Sequence, residues 1–216
     1  MFDSLFPRRI RLSYGITVCN EVAELERLLL FLLLHKDPYD QIVVLQDSTR
    51  PHEWVTDVLN RYRHKIEYRS AALNGDFATF KNNLLHMASG DYLFQLDADE
   101  MPTETLLGSL KEILRKNAQA DCLAVPRINL VRGLTPAWIA AWQWQVDERG
   151  RINYPDYQVR VFKLNQQIRW KNKVHEELEG YQHCHFIPAD TDDLCLLHLK
   201  EIDRQKEQND FYRTLE

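Results

Sequence analysis

In the first half of the chain, short apolar runs stop at clusters of acidic, amide or hydroxyl side chains, with helix-length segments between them. Leu12 to Val18 stops at Asn20-Glu21, Gln41 to Gln46 at Asp47-Ser48-Thr49, and Tyr92 to Leu96 at Asp97-Ala98-Asp99. The Ile-Val-Val-Leu run at 42–45 is continuously apolar, which suits a strand buried on both faces. A leucine-rich segment from about Glu21 to His35 reads as a helix ended by Asp37-Pro38. Pro51 suits the opening of a second helix reaching about Arg63. Ile66 to Arg69 reads as a short strand, and Phe77 to Ala88 as a helix broken at Gly90. A helix from about Pro102 to Lys116 and a strand from Cys122 to Val125 complete the regular part. Such alternation predicts an α/β fold with a mostly parallel, doubly wound sheet flanked by helices. Sheets of that kind bind ligands beyond the carboxyl ends of their strands, so the three polar clusters mark one expected site.

The chain's 216 residues suit one domain, with a first half at about 10–125 and a less regular second half at about 126–216. A net charge of −5 argues against a dedicated nucleic-acid binder, whose phosphate contacts need a basic surface. The local basic clusters at 8–11, 61–65 and 169–173 read as solvated faces. The first nine residues lack the apolar core of a signal peptide. Leu28 to Leu34 is far shorter than the roughly 20 residues that span a bilayer, and reads as part of a buried helix. Cys19, Cys122, Cys184 and Cys195 are scattered and form no CxxC pair. Free, buried thiols in a cytoplasmic protein, with peripheral membrane attachment as the other placement, are the expectation.

The second half holds Trp138, Trp142 and Trp144 in one loop, and Trp170 further on. Gln158 to Leu164 and Leu194 to Leu197 read as strands, and Glu201 to Leu215 as a final amphipathic helix.

Asp97 and Asp99 follow a buried strand, and alternation sends both carboxylates the same way, where they can face one hard cation. A cation held there could neutralise a diphosphate and help it leave. The plainer reading is an acidic turn at the head of the Pro102 helix, with Glu100 and Glu104 favouring that helix N-terminus. His175, His183, Cys184, His185, Cys195 and His198 crowd the last quarter, and Cys195-x-x-His198 has a zinc-like spacing without a matching second pair.

Several patches together resemble family 2 glycosyltransferases of the GT-A fold, especially small bacterial and phage members similar to lipopolysaccharide-core glucosyltransferases. They are Ile16-Thr17-Val18-Cys19-Asn20-Glu21, Val43 to Thr49, Phe77 to Asn83, and Ala88 to Glu100. Tyr154 to Phe162 and Trp170 to Glu177, with its Val-His-Glu, add patches beyond. The resemblance implies a nucleotide-sugar donor, most simply a UDP-sugar, and a divalent metal, Mn²⁺ or Mg²⁺. It implies that Thr17, Asn20 and Glu21 line the nucleoside pocket and that Asp47 bonds the base. Lys81, where the family often has arginine, would approach the diphosphate or ribose. Asp97 would touch ribose or metal, Asp99 would ligate the metal, and His198 would complete its shell.

For an inverting transfer the resemblance offers Glu176 as the base, then Asp156, then Glu177. Taken singly, Asn20 could be a helix cap, Asp47 a turn residue, Glu176 the partner of Arg169 or Lys173, and His198 a core histidine. The tryptophan loop could stack on an acceptor such as a glycan or lipid-linked glycan, with a nucleic-acid base as a remaining option, or simply pack. Two rivals stay open. A nucleotidyltransferase should carry a glycine-rich loop after the first strand, and Cys19-Asn20-Glu21-Val22 has none. A non-catalytic nucleotide-sugar-binding module would keep Asn20 and Asp47 without turnover.

Overall fold

The computed structural model describes residues 9–213, so the signal-peptide reading of the first residues, Arg8 of the first basic cluster, and the end of the expected last helix lie outside it. The first half alternates as its apolar runs require: β1 (Leu12–Val18), α1 (Val22–His35), β2 (Gln41–Asp47), α2 (Glu53–Tyr62), β3 (Glu67–Ala71), α3 (Phe77–Leu85) and β4 (Tyr92–Asp97). Then follow β5 (Glu100–Pro102), α4 (Glu104–Lys116), β6 (Cys122–Arg132), α5 (Pro136–Ala141) and β7 (Ile152–Lys163). β8 (Arg169–Lys171), β9 (Glu177–Glu179), β10 (Cys184–Phe186), a 3-10 turn (Asp192–Leu194), β11 (Leu196–Glu201) and α6 (Ile202–Arg213) complete the described chain.

The main sheet runs β3-β2-β1-β4-β7-β6-β11-β5, with β10 beside β6. β3, β2, β1 and β4 are mutually parallel, and so are β6, β11 and β10; β7 and β5 run against their neighbours. The order reverses between β1 and β4, and the carboxyl ends there bring Thr17 opposite Asp97.

Burial on both faces explains the continuous apolar runs. Ile42 and Val44 point to the large core shared with Leu25, Leu28, Leu29 and Leu32 of α1, Val55, Val58 and Leu59 of α2, and Leu106 and Leu110 of α4. Val43 and Leu45 point the other way, to Phe80 and Leu84 of α3 and to Met87. α3 lies there because the β3-to-β4 connection runs back across the sheet, and a right-handed crossover then needs the opposite face.

Three differences from the sequence reading bear on the site. α1 is not buried all round: Leu30 is 55% and Leu34 78% exposed, because a helix lying on a sheet buries only one side. The expected helix start near Pro102 is instead β5, which pairs with β11 so that His198 stands opposite Glu100. The helix begins two residues later, at Glu104, capped by the Thr103 hydroxyl on the Leu106 amide. β6 and β7 run well beyond the expected 122–125 and 158–164, and their register shifts between Leu123 and Ala124. There Leu123 faces Val161 and Ala124 faces Val159, which makes Arg160 the extra residue of a β-bulge.

Two glycines set how closely β1 is approached. A Cβ at Gly90 would lie 2.8 Å from the Arg11 carbonyl oxygen and the Ser13 nitrogen, both backbone, whereas one at Gly15 would meet leucine methyls of Leu93 and Leu84 that can turn aside. Gly90→Ala is therefore expected to cost about 1–3 kcal/mol of stability, as overpacking does, and Gly15→Ala less. Urea unfolding of both variants checks the order; a Gly15 variant that loses more would mean that α3 cannot yield.

Candidate active site

The strand ends carry a network of charges contributed by distant parts of the chain. Thr17 Oγ1 donates to Asp97 Oδ1 at 2.8 Å, and Arg160 Nη2 donates to Asp97 Oδ2 at 2.7 Å. Arg160 also bonds the fully buried Glu100 at 2.5 Å, and Arg127 bonds the same Glu100 oxygen at 2.7 Å. The other Glu100 oxygen accepts the Asp97 amide at 3.2 Å. Burial pushes the Asp97 carboxyl's pKa up, yet Arg160, Lys81 and the Thr17 hydroxyl outweigh it and hold the group well below the usual carboxylate range. Asp97 keeps 35% of its side chain exposed, so it still borders solvent at the switch point.

Asp99 has different partners. Its Oδ2 lies 3.4 Å from His198 Nε2 and 3.6 Å from Lys200 Nζ. Burial raises its carboxyl, and the His198 contact with the Lys200 charge override that, leaving a pKa of about 2. Burial lowers the Lys200 ammonium's own pKa. Behind His198, Asn129 Nδ2 donates to Asp156, so the Asn129 oxygen is left to accept from His198 Nδ1 at 2.7 Å. The remaining nitrogen, Nε2, is thereby aimed at Asp99. A proton or a metal satisfies such a facing pair, and the hydrogen-bonded far nitrogen is the usual support of a ligating histidine.

The expected arrangement, with Asp97 and Asp99 turned together on one cation, differs from this one. Alternation lapses in the turn at 98–99, and Arg160 claims the oxygen that Asp97 would offer. The two carboxylates still feel each other, since Asp97 raises Asp99. Among the described residues no group of three or more His, Cys, Asp and Glu side chains could hold a metal, which also speaks against the zinc-like reading of the last quarter. Cys195 Sγ turns to Tyr154 and to the Thr191 carbonyl, and His198 to Asn129.

The remaining expected residues are divided. Glu21 Oε2 accepts the amides of Cys19 and Asn20, and its Oε1 takes Arg204 of α6 at 2.5 Å, so its carboxylate organises the loop after β1. Asn20 is exposed and does not cap α1, whose cap position is Glu21. Asp47 Oδ1 accepts the amides of Thr49 and Leu73, tying the loops after β2 and β3, while Oδ2 meets only the Cys19 thiol at 3.8 Å. Lys81, buried on α3, forms a 2.5 Å ion pair with Glu176 and lies over the Trp170 ring. Of the surface partners expected for Glu176, Arg169 pairs with Glu179 instead. Glu177 is exposed on β9 and lies 3.8 Å from Lys171. Trp138 and Trp142 stack with ring centroids 4.9 Å apart, and Trp144 lies tilted against Trp142 at 4.6 Å, on and just after α5. Two of the four thiols are buried, those of Cys122 and Cys195, and all four are free.

Residues 13–183 match the family model described as Glycosyl transferase family 2. The chain belongs to that family. Among curated relatives, the SPbeta prophage-derived glycosyltransferase SunS of Bacillus subtilis (strain 168) is 25% identical over 174 residues, 80% of this chain. That match takes in only 36% of SunS, so the chain spans about a third of the relative it resembles. Among solved structures, S. aureus TarS 1-349 in complex with UDP-GlcNAc superposes with a TM-score of 0.61 at 13% identity, covering 88% of this chain and 59% of that one. The Pyrobaculum calidifontis mannosyltransferase PcManGT, in complex with GDP-Man and Mn²⁺, gives 0.58 at 15% identity, with 88% and 57% covered. These likenesses establish the GT-A-type α/β fold, and family membership sets the nucleotidyltransferase reading aside.

Arg160, Arg127 and Asn129 were not singled out in the sequence, and Glu100, read there as an acid favouring the helix N-terminus, is instead buried between the two arginines. A signal was present: Asp156, Gln158 and Arg160 are polar at alternate positions of an otherwise strand-like segment, a pattern that marks a polar inner face. Asp156 accepts from Arg127 Nε at 2.9 Å, from Asn129 at 2.8 Å and from Gln158 at 2.7 Å. Burial raises its carboxyl, and these partners, Arg127 foremost, lower it further than burial lifts it. A carboxylate whose folded pKa is depressed contributes stability above its unfolded value and loses it as pH falls through the folded one. Asp156→Asn should therefore flatten the loss of stability below about pH 4. Unfolding free energies measured across that range check this; an acid limb as steep as wild type would assign it to other carboxylates.

Proposed function

We propose that the chain is a metal-dependent, inverting glycosyltransferase that moves a sugar from a UDP-sugar to an acceptor hydroxyl, acting as one GT-A domain with a donor half at about 10–125 and an acceptor half at about 126–216. The observation that carries the reading is the Asp99–His198 pair at the strand ends, oriented from behind by Asn129. One carboxylate oxygen with one imidazole nitrogen suits Mn²⁺ better than Mg²⁺, which prefers an all-oxygen shell, and substrate phosphates and water can complete the coordination. The shortage of a third protein ligand therefore fits a metal that arrives with a diphosphate. Bound there, the metal supplies charge neutralisation to the departing nucleoside diphosphate.

The chain's own groups carry the rest. Thr17, Asn20, Glu21 and Asp47 border the nucleoside pocket, Asp47 with the oxygen that the turn leaves free. Asp97, fixed by Thr17 and Arg160, presents a pre-oriented acceptor to the ribose at no reorganisation cost. Lys81 offers its ammonium to the diphosphate. Glu176 takes the acceptor hydroxyl's proton as that oxygen attacks the anomeric carbon and the carbon–phosphate-oxygen bond breaks. Asp156 is the weaker candidate, because three donors already engage it.

The acceptor side is less specified. The half-buried tryptophans at 138, 142 and 144 offer flat faces that suit a sugar ring, and a glycan or lipid-linked glycan is the acceptor class they fit. A cytoplasmic location fits this reading and the chain's free thiols; among the described residues no helix is long and apolar enough to cross a membrane.

Two measurements test the reading. Calorimetric titration with UDP should show Mn²⁺-dependent affinity in the wild type, lost in Asp99→Asn while the folded baseline is kept. Equal affinity with and without metal in the wild type would sink the metal role. For the base, Glu176→Gln should keep a wild-type fold and reduce transfer by on the order of 10²–10⁴. Asp156→Asn is the paired control and should stay within about tenfold of wild type. The reverse ranking would move the base to β7.

A further inference from the structure

The ion pair between Lys81 and Glu176 joins the two groups that the proposed reaction needs apart, one at the diphosphate and one at the acceptor hydroxyl. At 2.5 Å it is close, and its side chains are only 8% and 17% exposed. Among the described residues neither side chain has another ion-pair partner. Lys81 is held from below: the Trp170 ring lies under its ammonium at 4.8 Å, Trp170 Nε1 donates to buried Gln95, and the Trp170 backbone is bonded at both ends by Asn82, one residue after Lys81. Its charge also reaches Asp97 at the strand end, so the ammonium stands between the donor edge and the β8–β9 turn.

Glu176 is held differently. It follows a turn in which Asn172 (φ 69) and His175 (φ 54) both take the left-handed region, and whose Lys173 carbonyl is tied to the Phe77 amide. The cation is thus mounted on a packed platform and the anion on a loop. A buried ion pair gains little over its separated partners, but either partner left alone is expensive. Neither can leave unless a new counter-charge arrives. A diphosphate brings one to the lysine, with more charge than a carboxylate and in the direction of Asp97.

We propose that this pair is a donor-released clasp: Lys81 holds Glu176 in the resting site, trades it for a phosphate oxygen of the donor, and so frees the carboxylate for the acceptor hydroxyl. The proposal rests on the donor and base roles given above. It makes the carboxylate that takes the acceptor's proton available only once a donor is seated. It also means that wild-type donor affinity is reduced by the work of breaking the pair.

The test is calorimetry with Mn²⁺, using UDP, GDP, uridine and guanosine as probes on wild type, Glu176→Gln and Lys81→Met. The nucleoside diphosphate that the wild type prefers should bind Glu176→Gln about tenfold more tightly, ~1.4 kcal/mol. The matching nucleoside should bind both alike, and Lys81→Met should lose diphosphate affinity. Thermal unfolding should show Glu176→Gln gaining more from the diphosphate than wild type does, because its unpaired lysine is then satisfied. If Glu176→Gln is too unstable to titrate, Glu176→Asp, one methylene shorter, should show a smaller gain in the same direction. Equal diphosphate affinity in wild type and Glu176→Gln, with loss only in Lys81→Met, overturns the clasp and leaves the donor reading standing. Affinity unchanged in Lys81→Met, or no diphosphate binding by the wild type, overturns both.

Discussion

Arg160 stands in the bulge of β7 with one guanidinium nitrogen donating to Asp97 and to Glu100, and the placement of nearly every other group at the strand ends follows from that contact. Two carboxylates brought this close and partly out of water repel each other unless a cation lies between them. Once Arg160 is there, Asp97 is turned toward Thr17, Glu100 is turned inward toward Arg127, and Asp99 is left to pair with β11. The bulge matters because regular alternation would send a residue between Val159 and Val161 along the pleat; the extra residue re-aims it. A local irregularity in one antiparallel strand thereby decides which partners each of two neighbouring aspartates faces.

The network also couples regions remote in sequence. The acids Glu21, Asp97, Asp99 and Glu100 come from the first half, and their partners Arg127, Arg160, His198, Lys200 and Arg204 from the second. The antiparallel β5–β11 pairing is the hinge of this exchange, since it sets His198 beside the turn that carries Asp99. The polar edge at the strand ends is therefore not preformed by the βαβ units alone. It is completed by a strand that the chain adds near its end.

That division explains what the sequence made legible. β1, α1, β2 and β4 could be read to within a residue or so, because each run is bounded by a change from apolar to polar and the three strands are buried on both faces. The second half resisted, because its strands pack on one side and face the site on the other, which leaves mixed sequences without a clean period. α6 illustrates the same point: Arg204 and Lys206 turn to Glu21 and to the Trp138 ring, so a helix read as amphipathic is instead polar around its girth. Motif positions such as Thr17, Asp97 and Asp99 were legible as residues, but their division of labour was not. That depends on Arg160, 60 residues and more away in the chain. The loop-tying contacts of Glu21 were not legible for a simpler reason, because an acid at a strand end can tie its own loop as readily as face a ligand.

The charges at the site nearly balance before any ligand arrives. Glu21, Asp97, Asp99, Glu100, Asp156 and Glu176 are matched by Arg204, Arg160, Lys200, Arg127 and Lys81, several serving two acids. A nucleotide-sugar carries two negative charges on its diphosphate and would be neutral with one divalent metal, so a site that receives both together needs oriented groups more than net charge. On the proposed reading, a chain of net charge −5 can therefore still receive an anionic donor. It also places the energetic demand on exchange of partners rather than on attraction from a distance. Long-range steering is weak for such a pair of neutral totals, and specificity then comes from which contacts are traded at close quarters.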